Sequence, residues 1–433
     1  MSMKNIKSLS ALIVALLLPV FAWGLEVSGR IQSVSGKAGT IQLQDDKSQE
    51  VVVIRVDQNT RFENVKSIKE LDAPDKVVIE FESGQPAARV KLVVVQVPEE
   101  WLIETKELAV LLNGKTPFTL YDARPAAKYD AGHLPGALSL PLDALKKNPS
   151  VLPQDKDQLL IFYCGGLTCP LSPSAAKIAQ AEGHTNIRVY HGGDPAWRKA
   201  RLPMMVQSEW LSKNLDAHHV ILDVRSRAGE HLPGAVSLPL GELKRMSADF
   251  KANKTAWMFK NLPGVSDKSA PIIVYADRGF SPEAVGAYRE LLGWSYGQVV
   301  VLEEGLTGWK ALGLKTDVGS YASGITYVKK QVPGVVEPQE FSTLAKAGEA
   351  IVLDVRTAEE YSSAHVVKAV NIPLDELEGR LGELSRDAVI LIHCGTGARA
   401  SMAYTLLKSK GFNNVRFLDA TLEIKKDGHF KVL

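Results

Sequence analysis

Residues 389–401 read Val-Ile-Leu-Ile-His-Cys-Gly-Thr-Gly-Ala-Arg-Ala-Ser and combine the features that decide the fold. The first four residues form a continuous apolar run, which is typical of a strand buried on both faces of a parallel sheet. A glycine-rich loop follows, with Cys394 at its start. The sequence from about Ala400 to Ser409 then predicts a helix, which Gly411 ends. The stretch therefore predicts a strand, a loop and a helix, with a cysteine at the carboxyl end of the strand.

The same order of features occurs three times along the chain. Each repeat has an apolar strand, which ends in Asp-x-Arg, then a loop with a histidine, then a second apolar strand. These segments are residues 120–124, 132–137 and 159–164 in the first repeat, 221–225, 230–235 and 272–276 in the second, and 352–356, 364–369 and 389–394 in the third. Apolar strands that alternate with helices predict an α/β fold with a buried, mostly parallel sheet in each repeat.

This triple pattern resembles the rhodanese-like family over roughly residues 100 to 433. The resemblance depends on the Asp-x-Arg strand end, the Gly-His-x-Pro-Gly-Ala loop and the Cys-x4-Arg loop, which recur in that order. It implies α/β domains in which a catalytic cysteine lies in a cradle-shaped loop between a central strand and a helix. It also implies chemistry in which a sulfane sulfur passes through a cysteine persulfide, with no metal and no organic cofactor.

The loop of the third repeat has the residues that this chemistry needs. The thiolate is the reactive form of cysteine, and a free thiol, with a pKa of about 8.5, is mostly protonated at neutral pH. Backbone amides of a tight turn at a helix N-terminus stabilise an anion. We therefore predict that Cys394 is the nucleophile and that Arg399 adds positive charge at the rim. The predicted substrate-binding residues are Gly395, Thr396, Gly397 and Ala398.

Two other motifs are alternatives for the same loop. Residues 395–400 match the Gly-x-Gly-x-x-Ala fingerprint of dinucleotide-binding folds, but that fingerprint leaves Cys394 without a role. Cysteine phosphatases related to this fold carry Cys-x5-Arg, whereas this loop is one residue shorter, as in sulfurtransferases. A smaller ring of amides suits a sulfur substituent better than a phosphate, so we favour sulfur transfer.

The first repeat departs from the pattern at the arginine position. Its loop starts at Cys164, and Cys169 stands where the third repeat has Arg399. We expect the loop to lower the pKa of Cys164 without the arginine's help, which makes Cys164 a second candidate persulfide site or a relay. In an oxidising compartment, Cys169 could resolve a persulfide or a sulfenic acid on Cys164 by forming a disulfide. A structural disulfide and a pair of unreactive thiols are the alternatives.

The second repeat has lost the nucleophile. Ala276 occupies the cysteine position, and an alanine cannot form a persulfide. We therefore expect this repeat to be catalytically silent and to have a structural role. Because Asp223 and Arg225 of this silent repeat match Asp354 and Arg356 of the third, we assign these charged residues to a scaffold that holds the loops.

Two shorter segments precede the repeats. Residues 1–24 have the pattern of a secretory signal peptide, with Lys4 and Lys7 before an apolar run over residues 11–22. That run is shorter than the roughly 20 residues that span a bilayer, and a short membrane-tethering helix is the alternative. Residues 25–99 contain five or six short β-rich runs and predict a small all-β, OB-like barrel that acts as an accessory module.

The composition excludes several classes of partner. Of 433 residues, 51 are Lys or Arg and 49 are Asp or Glu, so the net charge is +2 and argues against nucleic acid or an anionic membrane as a partner. Three cysteines are too few for a disulfide framework, and their spacing supplies no metal site. The predicted organisation is a signal peptide at 1–24, a β-barrel at 25–99, and repeats at 100–207, 208–322 and 323–433.

Together these features predict an exported sulfurtransferase that is periplasmic or secreted and free of the membrane after signal cleavage. It would take a sulfane sulfur from a small anion such as thiosulfate or a polysulfide. It would pass that sulfur to cyanide or to a thiol acceptor, which could be a protein. The alternative is a non-catalytic or thiol–disulfide redox component of a periplasmic electron-transfer assembly, with Cys164 and Cys169 as the redox couple.

Overall fold

Two compact units make up the part of the chain described by the computed structural model, which covers residues 24–36, 38–226, 229–252 and 260–432. One unit consists of the described residues up to Leu92 together with those from Val336 onward, and we call it the Cys394 unit. The other, Val93–Val335, is the Cys164 unit. Apart from Gly24, the predicted signal peptide lies outside the described residues.

The N-terminal segment forms a six-stranded sheet, which we call the N-terminal sheet. Its strands are β1 (Leu25–Ser35), β2 (Thr40–Asp45), β3 (Val51–Arg55), β4 (Arg61–Glu63), β5 (Lys76–Phe81) and β6 (Arg89–Leu92). Their order is β3-β2-β1-β5-β6-β4, and all pairs are antiparallel except β4 with β6. The predicted all-β character is confirmed. Because no strand pair between β3 and β4 closes the sheet within the described residues, the OB-like barrel stays a prediction.

The first repeat is a four-stranded parallel sheet in the order β10-β9-β7-β8, with helices between the strands. Its elements are α1 (Thr105–Asn113), β7 (Thr119–Asp122), α2 (Ala126–Asp130), β8 (Leu138–Ser139), α3 (Leu142–Lys147), β9 (Leu160–Tyr163), α4 (Leu171–Ala181), β10 (Ile187–Tyr190) and α5 (Gly193–Lys199). All four residues of β9 are buried, as the continuous apolar run predicts.

The second repeat has five parallel strands in the order β11-β15-β14-β12-β13. Its elements are β11 (Met205–Val206), α6 (Ser208–Lys213), β12 (Val220–Asp223), β13 (Val236–Ser237), α7 (Leu240–Ala252), β14 (Ile272–Tyr275), α8 (Pro282–Gly293), β15 (Val299–Leu302) and α9 (Gly305–Ala311). The strand β11 follows directly from the first repeat and joins the edge of this sheet, which ties the two repeats together.

The third repeat has the parallel order β17-β16-β18-β19, with an added antiparallel hairpin. Its elements are α10 (Pro338–Ala347), β16 (Ile351–Asp354), α11 (Ala358–Ser363), β17 (Val370–Asn371), β18 (Ile390–His393), α12 (Ala398–Ser409), β19 (Val415–Phe417), β20 (Leu422–Ile424) and β21 (Phe430–Val432). Short 3-10 helices cover Ile68–Glu70, Glu99–Trp101, Pro149–Val151 and Glu378–Glu383. The predicted fold class, three α/β repeats with mostly parallel sheets, is confirmed.

The N-terminal sheet packs on the third repeat, against α12, which is the helix that follows Cys394. The buried amide Nε2 of Gln42 donates to the backbone oxygen of Met402 at 2.8 Å, across 360 positions of sequence. Directly after α12, the ammonium of Lys410 pairs at 2.9 Å with Glu50, the residue before β3. The accessory segment is therefore built into the unit that holds Cys394.

The first and second repeats share one hydrophobic core in the Cys164 unit. The carboxylate of Glu303, from the second repeat, accepts hydrogen bonds from the His133 ring at 2.9 Å and from the Gly136 amide at 2.8 Å. Both donors lie in the His-containing loop of the first repeat, so this loop is a docking point between repeats. No helix in the described ranges has both the length and the apolar character needed to cross a bilayer.

Two short segments at the edges of the predicted domains, residues 93–99 and 323–335, belong to the Cys164 unit. In residues 93–99, the amide of Val95 donates to the Leu167 oxygen at 2.9 Å. In residues 323–335, the amide of Val328 donates to the Ala217 oxygen at 2.7 Å. Each segment thus lies on the first or the second repeat rather than on the Cys394 unit.

Candidate active site in the third repeat

Cys394 lies at the carboxyl end of the buried strand β18, and α12 begins four residues later. Its side chain is only 2% exposed. The backbone amide of Gly397 donates to Cys394 Sγ at 3.2 Å, so the loop folds back over the sulfur. An amide directed at the sulfur, together with a helix N-terminus, stabilises negative charge that develops there.

The curvature of this loop requires glycine at position 397. Gly397 has a φ of +93°, in the left-handed region that side chains with a Cβ rarely adopt. A Cβ placed there would lie 2.7 Å from Oδ1 of Asp419 and 3.0 Å from its Cα. Backbone conformation and space therefore both exclude a larger residue at the position that donates to the sulfur.

Arg399 lies in the first turn of α12 and is 4% exposed. It binds the carboxylate of Glu360 in a bidentate pair, Nη1 to Oε2 at 2.5 Å and Nη2 to Oε1 at 3.0 Å. Burial opposes the charge of Arg399, but the pairing with Glu360 outweighs it and raises the pKa of the guanidinium. The predicted positive charge is thus present beside the loop, but it lies below the surface and has a carboxylate partner.

The Asp-x-Arg motif forms the same buried ion pair in all three repeats. In the third, Arg356 Nε donates to Asp354 Oδ1 at 2.9 Å, and its Nη2 donates to the Ala364 oxygen at 2.8 Å. The matching Nε–Oδ1 distances are 2.9 Å in the first and second repeats, for Arg124 with Asp122 and for Arg225 with Asp223. The second repeat keeps this geometry although it has no cysteine, so in all three repeats the motif connects the strand end to the following loop, as a scaffold would.

His393, next to Cys394, occupies the position of a tyrosine in the other two repeats. There, the hydroxyls of Tyr163 and Tyr275 donate to Asp122 and Asp223 at 2.6 and 3.0 Å. The His393 ring is fully buried, and its Nε2 lies 3.7 Å from Asp354. Burial lowers the pKa of His393 to about 4, although the nearby Asp354 carboxylate acts in the opposite direction. The imidazole is therefore neutral at pH 7.

This buried histidine makes the stability of the third repeat sensitive to acid. The pKa of His393 is lowered from 6.5 to about 4 on folding. Between these two pKa values, the histidine binds a proton in the unfolded chain but not in the folded one. The free energy of unfolding therefore falls as the pH drops through this window, by about 3 kcal/mol at most. We expect His393→Tyr, which installs the tyrosine of the other repeats, to remove this slope. Denaturant unfolding of the wild type and the variant at pH 7 and pH 4.5 measures it, and an unchanged slope would assign the acid sensitivity to other groups.

Cys164 has a different environment from Cys394. Its thiol donates to the backbone oxygen of Cys169 at 3.4 Å and lies 3.1 Å from the hydroxyl of Ser172, at the start of α4. We expected the loop to lower the pKa of Cys164, but that expectation is wrong. Burial and the neighbouring Cys169 thiol raise this pKa well above its ordinary value, against the opposing effect of Ser172. Neither Cys164 nor Cys169 is in a disulfide in this structure, and Cys169 is the more exposed of the two.

The second repeat keeps a cleft at the same place but no nucleophile. Ala276 is buried at the carboxyl end of β14, where the other repeats have a cysteine. Arg225 reaches Asp277, the next residue, at 3.1 Å, and both line a cavity of about 230 Å³. With a methyl group where the other repeats have a thiol, position 276 cannot carry a persulfide.

A cleft beside the third loop has walls from two parts of the chain. It has a volume of about 120 Å³, and Arg399 and Asp375 line it on the third repeat. Thr40 and Arg55 line it on the N-terminal sheet. Arg55 Nε lies 3.4 Å from Asp375 Oδ2, and the Arg55 side chain is 46% exposed. The sequence did not indicate Arg55, because nothing near it in the chain relates a strand of the N-terminal sheet to a loop more than 300 residues away.

No group of three or more His, Cys, Asp and Glu side chains in the described ranges is placed to hold a metal ion. The groups that converge on Cys394 are instead a backbone amide and an arginine–carboxylate pair. That set supplies a hydrogen-bond donor and positive charge to an anionic sulfur at Cys394.

Comparison with known proteins agrees with the repeat pattern. The family model for the rhodanese-like domain matches residues 104–200, 207–312 and 337–423. A putative sulfur carrier protein of Bacillus subtilis, YrkF, is 45% identical over 64 residues, which are 15% of this chain and 35% of that protein. The HTH-type transcriptional regulator Rv0324 of Mycobacterium tuberculosis is 37% identical over 86 residues, 20% of this chain and 37% of the relative. The chain thus spans little more than a third of the length of these curated relatives.

Solved structures also resemble this chain. The thiosulfate sulfurtransferase of Pseudomonas aeruginosa covers 76% of this chain with 67% of its own length, at 19% identity and a TM-score of 0.22. The Escherichia coli protein SseA, described as a 3-mercaptopyruvate sulfotransferase, covers 51% of this chain with 98% of its own length, at 22% identity and a TM-score of 0.23.

Proposed function

The chain belongs to the rhodanese-like domain family, which supports sulfur transfer in general, and we propose that it is an exported sulfurtransferase with Cys394 as its nucleophile. Its donor is a small sulfane-sulfur anion such as thiosulfate or a polysulfide, and its acceptor is cyanide or a thiol. The hydrogen bond from the Gly397 amide to Cys394 Sγ supports this assignment most directly, because it supplies what an anionic sulfur at that position needs.

In the proposed first step, the Cys394 thiolate attacks the outer sulfur of thiosulfate. A sulfur–sulfur bond forms to Cys394, the sulfur–sulfur bond of thiosulfate breaks, and sulfite leaves with the electron pair. In the second step, cyanide or a thiolate attacks the outer sulfur of the persulfide. Thiocyanate or an acceptor persulfide leaves, and the Cys394 thiolate is restored. With cyanide, no proton and no external electron is needed, so the reaction balances without a cofactor.

The neighbouring groups have distinct roles in this proposal. The loop amides, with that of Gly397 directed at the sulfur, hold the persulfide anion that exists between the two steps. Arg399 provides positive charge beside the loop, and Glu360 fixes its orientation through two hydrogen bonds. Arg356 and Asp354 hold the end of the adjacent strand and do not contact the sulfur donor in this proposal.

Steady-state kinetics test whether a covalent intermediate forms. With thiosulfate and cyanide as substrates, double-reciprocal plots at several cyanide concentrations should give parallel lines, since the enzyme passes through a persulfide between the two substrates. Intersecting lines would show that sulfur passes directly between bound donor and acceptor, which would contradict the proposed mechanism.

The N-terminal sheet should tune the charge at this site through Arg55. We expect Arg55→Gln to slow alkylation of Cys394 by anionic iodoacetate about two- to fivefold relative to neutral iodoacetamide, because the cleft loses one positive charge. Asp375→Asn should shift the ratio in the opposite direction. Arg61→Gln is the matched control, since that exposed arginine lies on the same sheet and outside the cleft. Peptide mass spectrometry of Cys394 gives both rates, and equal ratios for Arg55→Gln and the wild type would exclude Arg55 from the site.

Export is proposed from residues 1–24 alone. N-terminal sequencing of the protein recovered from a bacterial periplasm should then begin close to Leu25. An intact N-terminus would support the membrane-tether alternative.

The first repeat supports a second candidate function, a thiol–disulfide couple. Cys164 and Cys169 are close enough for the Cys164 thiol to donate to the Cys169 backbone, and neither is in a disulfide in this structure. Forming a disulfide between them would transfer two electrons and two protons to an oxidised thiol-reactive partner. Thiol titration with iodoacetamide before and after mild oxidation should show both thiols becoming unreactive, with a loss of two hydrogens from the peptide mass. If both thiols survive oxidation unchanged, this function is excluded and the pair is inert.

A further inference from the structure

A large cleft in the Cys164 unit belongs to neither cysteine loop. It has a volume of about 620 Å³, within the range of pockets that bind small organic molecules. Helix α5 of the first repeat forms one side. The other side is formed by the amino-terminal ends of strands β14 and β15 in the second repeat. The cleft therefore exists only because the two repeats pack together through their shared core.

The charges of this cleft do not balance. Four Lys and Arg side chains line it, those of Arg124, Lys128, Arg198 and Lys330, against the carboxylates of Asp194 and Asp216 and that of the buried Asp122, which pairs with Arg124 from behind the lining. The carboxylate of Asp194 already forms ion pairs, with Arg124 Nη1 at 3.0 Å and with Arg198 Nε at 3.8 Å. Asp216 accepts from the His219 ring at 2.8 Å. The ammonium groups of Lys128 and Lys330 can thus interact with solvent or with a bound anion.

The floor of the cleft is apolar and partly aromatic. Trp210, Ile273, Val300 and Tyr327 line it. Trp210 packs edge-to-face on the ring of His219, with centroids 5.9 Å apart. The hydroxyl of Tyr327 donates to Asp267 at 2.9 Å. These contacts hold two aromatic side chains in place, so the floor offers a preformed surface to a flat apolar group.

We propose that this cleft binds an organic anion with a flat apolar body and one or more acidic groups. The apolar body would lie on the Trp210 and Tyr327 floor, and the acidic groups would meet Arg198, Lys128 and Lys330 at the rim. An inorganic anion such as sulfate has no apolar part for the floor and is too small to fill the cavity. The site requires neither Cys394 nor sulfur transfer, so it stands independently of the proposed function.

Titration calorimetry of the full chain with 2-naphthalenesulfonate tests this site. We expect saturable binding with a Kd below about 1 mM, and much weaker binding of neutral 2-naphthol and of inorganic sulfate. Arg198→Gln and Lys330→Gln should each weaken 2-naphthalenesulfonate binding about fivefold, with a larger loss in the double variant. Lys199→Gln is the matched control, because the next residue of α5 is exposed and does not line the cleft.

Four outcomes would overturn the proposal. These are an absence of binding at millimolar 2-naphthalenesulfonate, equal affinity for 2-naphthol, unchanged affinity in the Arg198→Gln and Lys330→Gln double variant, and an equal loss in Lys199→Gln. All of these side chains are at least partly exposed, so the variants are expected to fold, and a circular dichroism spectrum matching the wild type verifies it.

Discussion

Cys394→Ser is expected to reduce thiosulfate:cyanide sulfur transfer by at least about 10³-fold, because a serine hydroxyl stays protonated at neutral pH and cannot form a persulfide. The substitution removes no packing volume of consequence at this buried position. Fold and stability should therefore be retained while turnover is lost. The measurement is the initial rate of thiocyanate formation, normalised to folded protein.

The matched variant is Cys164→Ser. Its thiol donates to the Cys169 backbone oxygen and lies beside the Ser172 hydroxyl, and burial raises its pKa well above the ordinary value, against the opposing hydrogen bonds of Ser172. We expect this variant to keep the sulfur-transfer rate within about twofold of the wild type. If transfer survives Cys394→Ser and disappears with Cys164→Ser, the first repeat is the catalytic one and the assignment here is wrong.

Asp354→Ala should be the most destabilising single substitution proposed for the third repeat, by about 3–5 kcal/mol. Asp354 is fully buried, and its carboxylate accepts hydrogen bonds from three donors of Arg356, namely the backbone amide, Nε and Nη2. Without the carboxylate, the Arg356 charge stays buried with no compensation. Denaturant unfolding measured with the full chain should show an earlier transition for this repeat.

Two variants make this result interpretable. Asp387→Ala removes an exposed carboxylate of the same repeat and should change stability by less than about 0.5 kcal/mol. Asp354→Asn keeps an acceptor oxygen while losing the charge, so an intermediate loss is expected, even if Asp354→Ala does not fold. A loss below 1 kcal/mol for both Asp354 variants would contradict the scaffold role of the ion pair.

Much of the fold could be predicted because the same pattern of strands, loops and helices occurs three times in the sequence. In each repeat, the Asp-x-Arg motif marks the carboxyl end of one apolar strand and therefore the carboxyl edge of the sheet. Cys394 follows the second apolar strand of its repeat, so its position in a loop before a helix could be predicted. The loss of the nucleophile at Ala276 is also visible in the sequence, because an alanine side chain has no sulfur whatever surrounds it.

The remaining features depend on contacts between distant parts of the chain. The burial of Arg399 requires Glu360 to approach it from α11, and a loop motif alone does not show which carboxylate lies nearby. The raised pKa of Cys164 depends on how deeply its loop is buried, whereas the sequence showed only the glycines that shape it. Packing of Gln42 on α12 is equally hidden, since a glutamine in a strand usually faces solvent.

Peptide mass spectrometry after incubation with thiosulfate tests the central claim most directly. After removal of excess donor under non-reducing conditions, we expect the peptide that carries Cys394 to gain the mass of one sulfur atom and to lose it again on addition of cyanide. The peptide that carries Cys164 and Cys169 should gain no sulfur. A sulfur atom found on the Cys164 peptide, with none on the Cys394 peptide, would contradict the account.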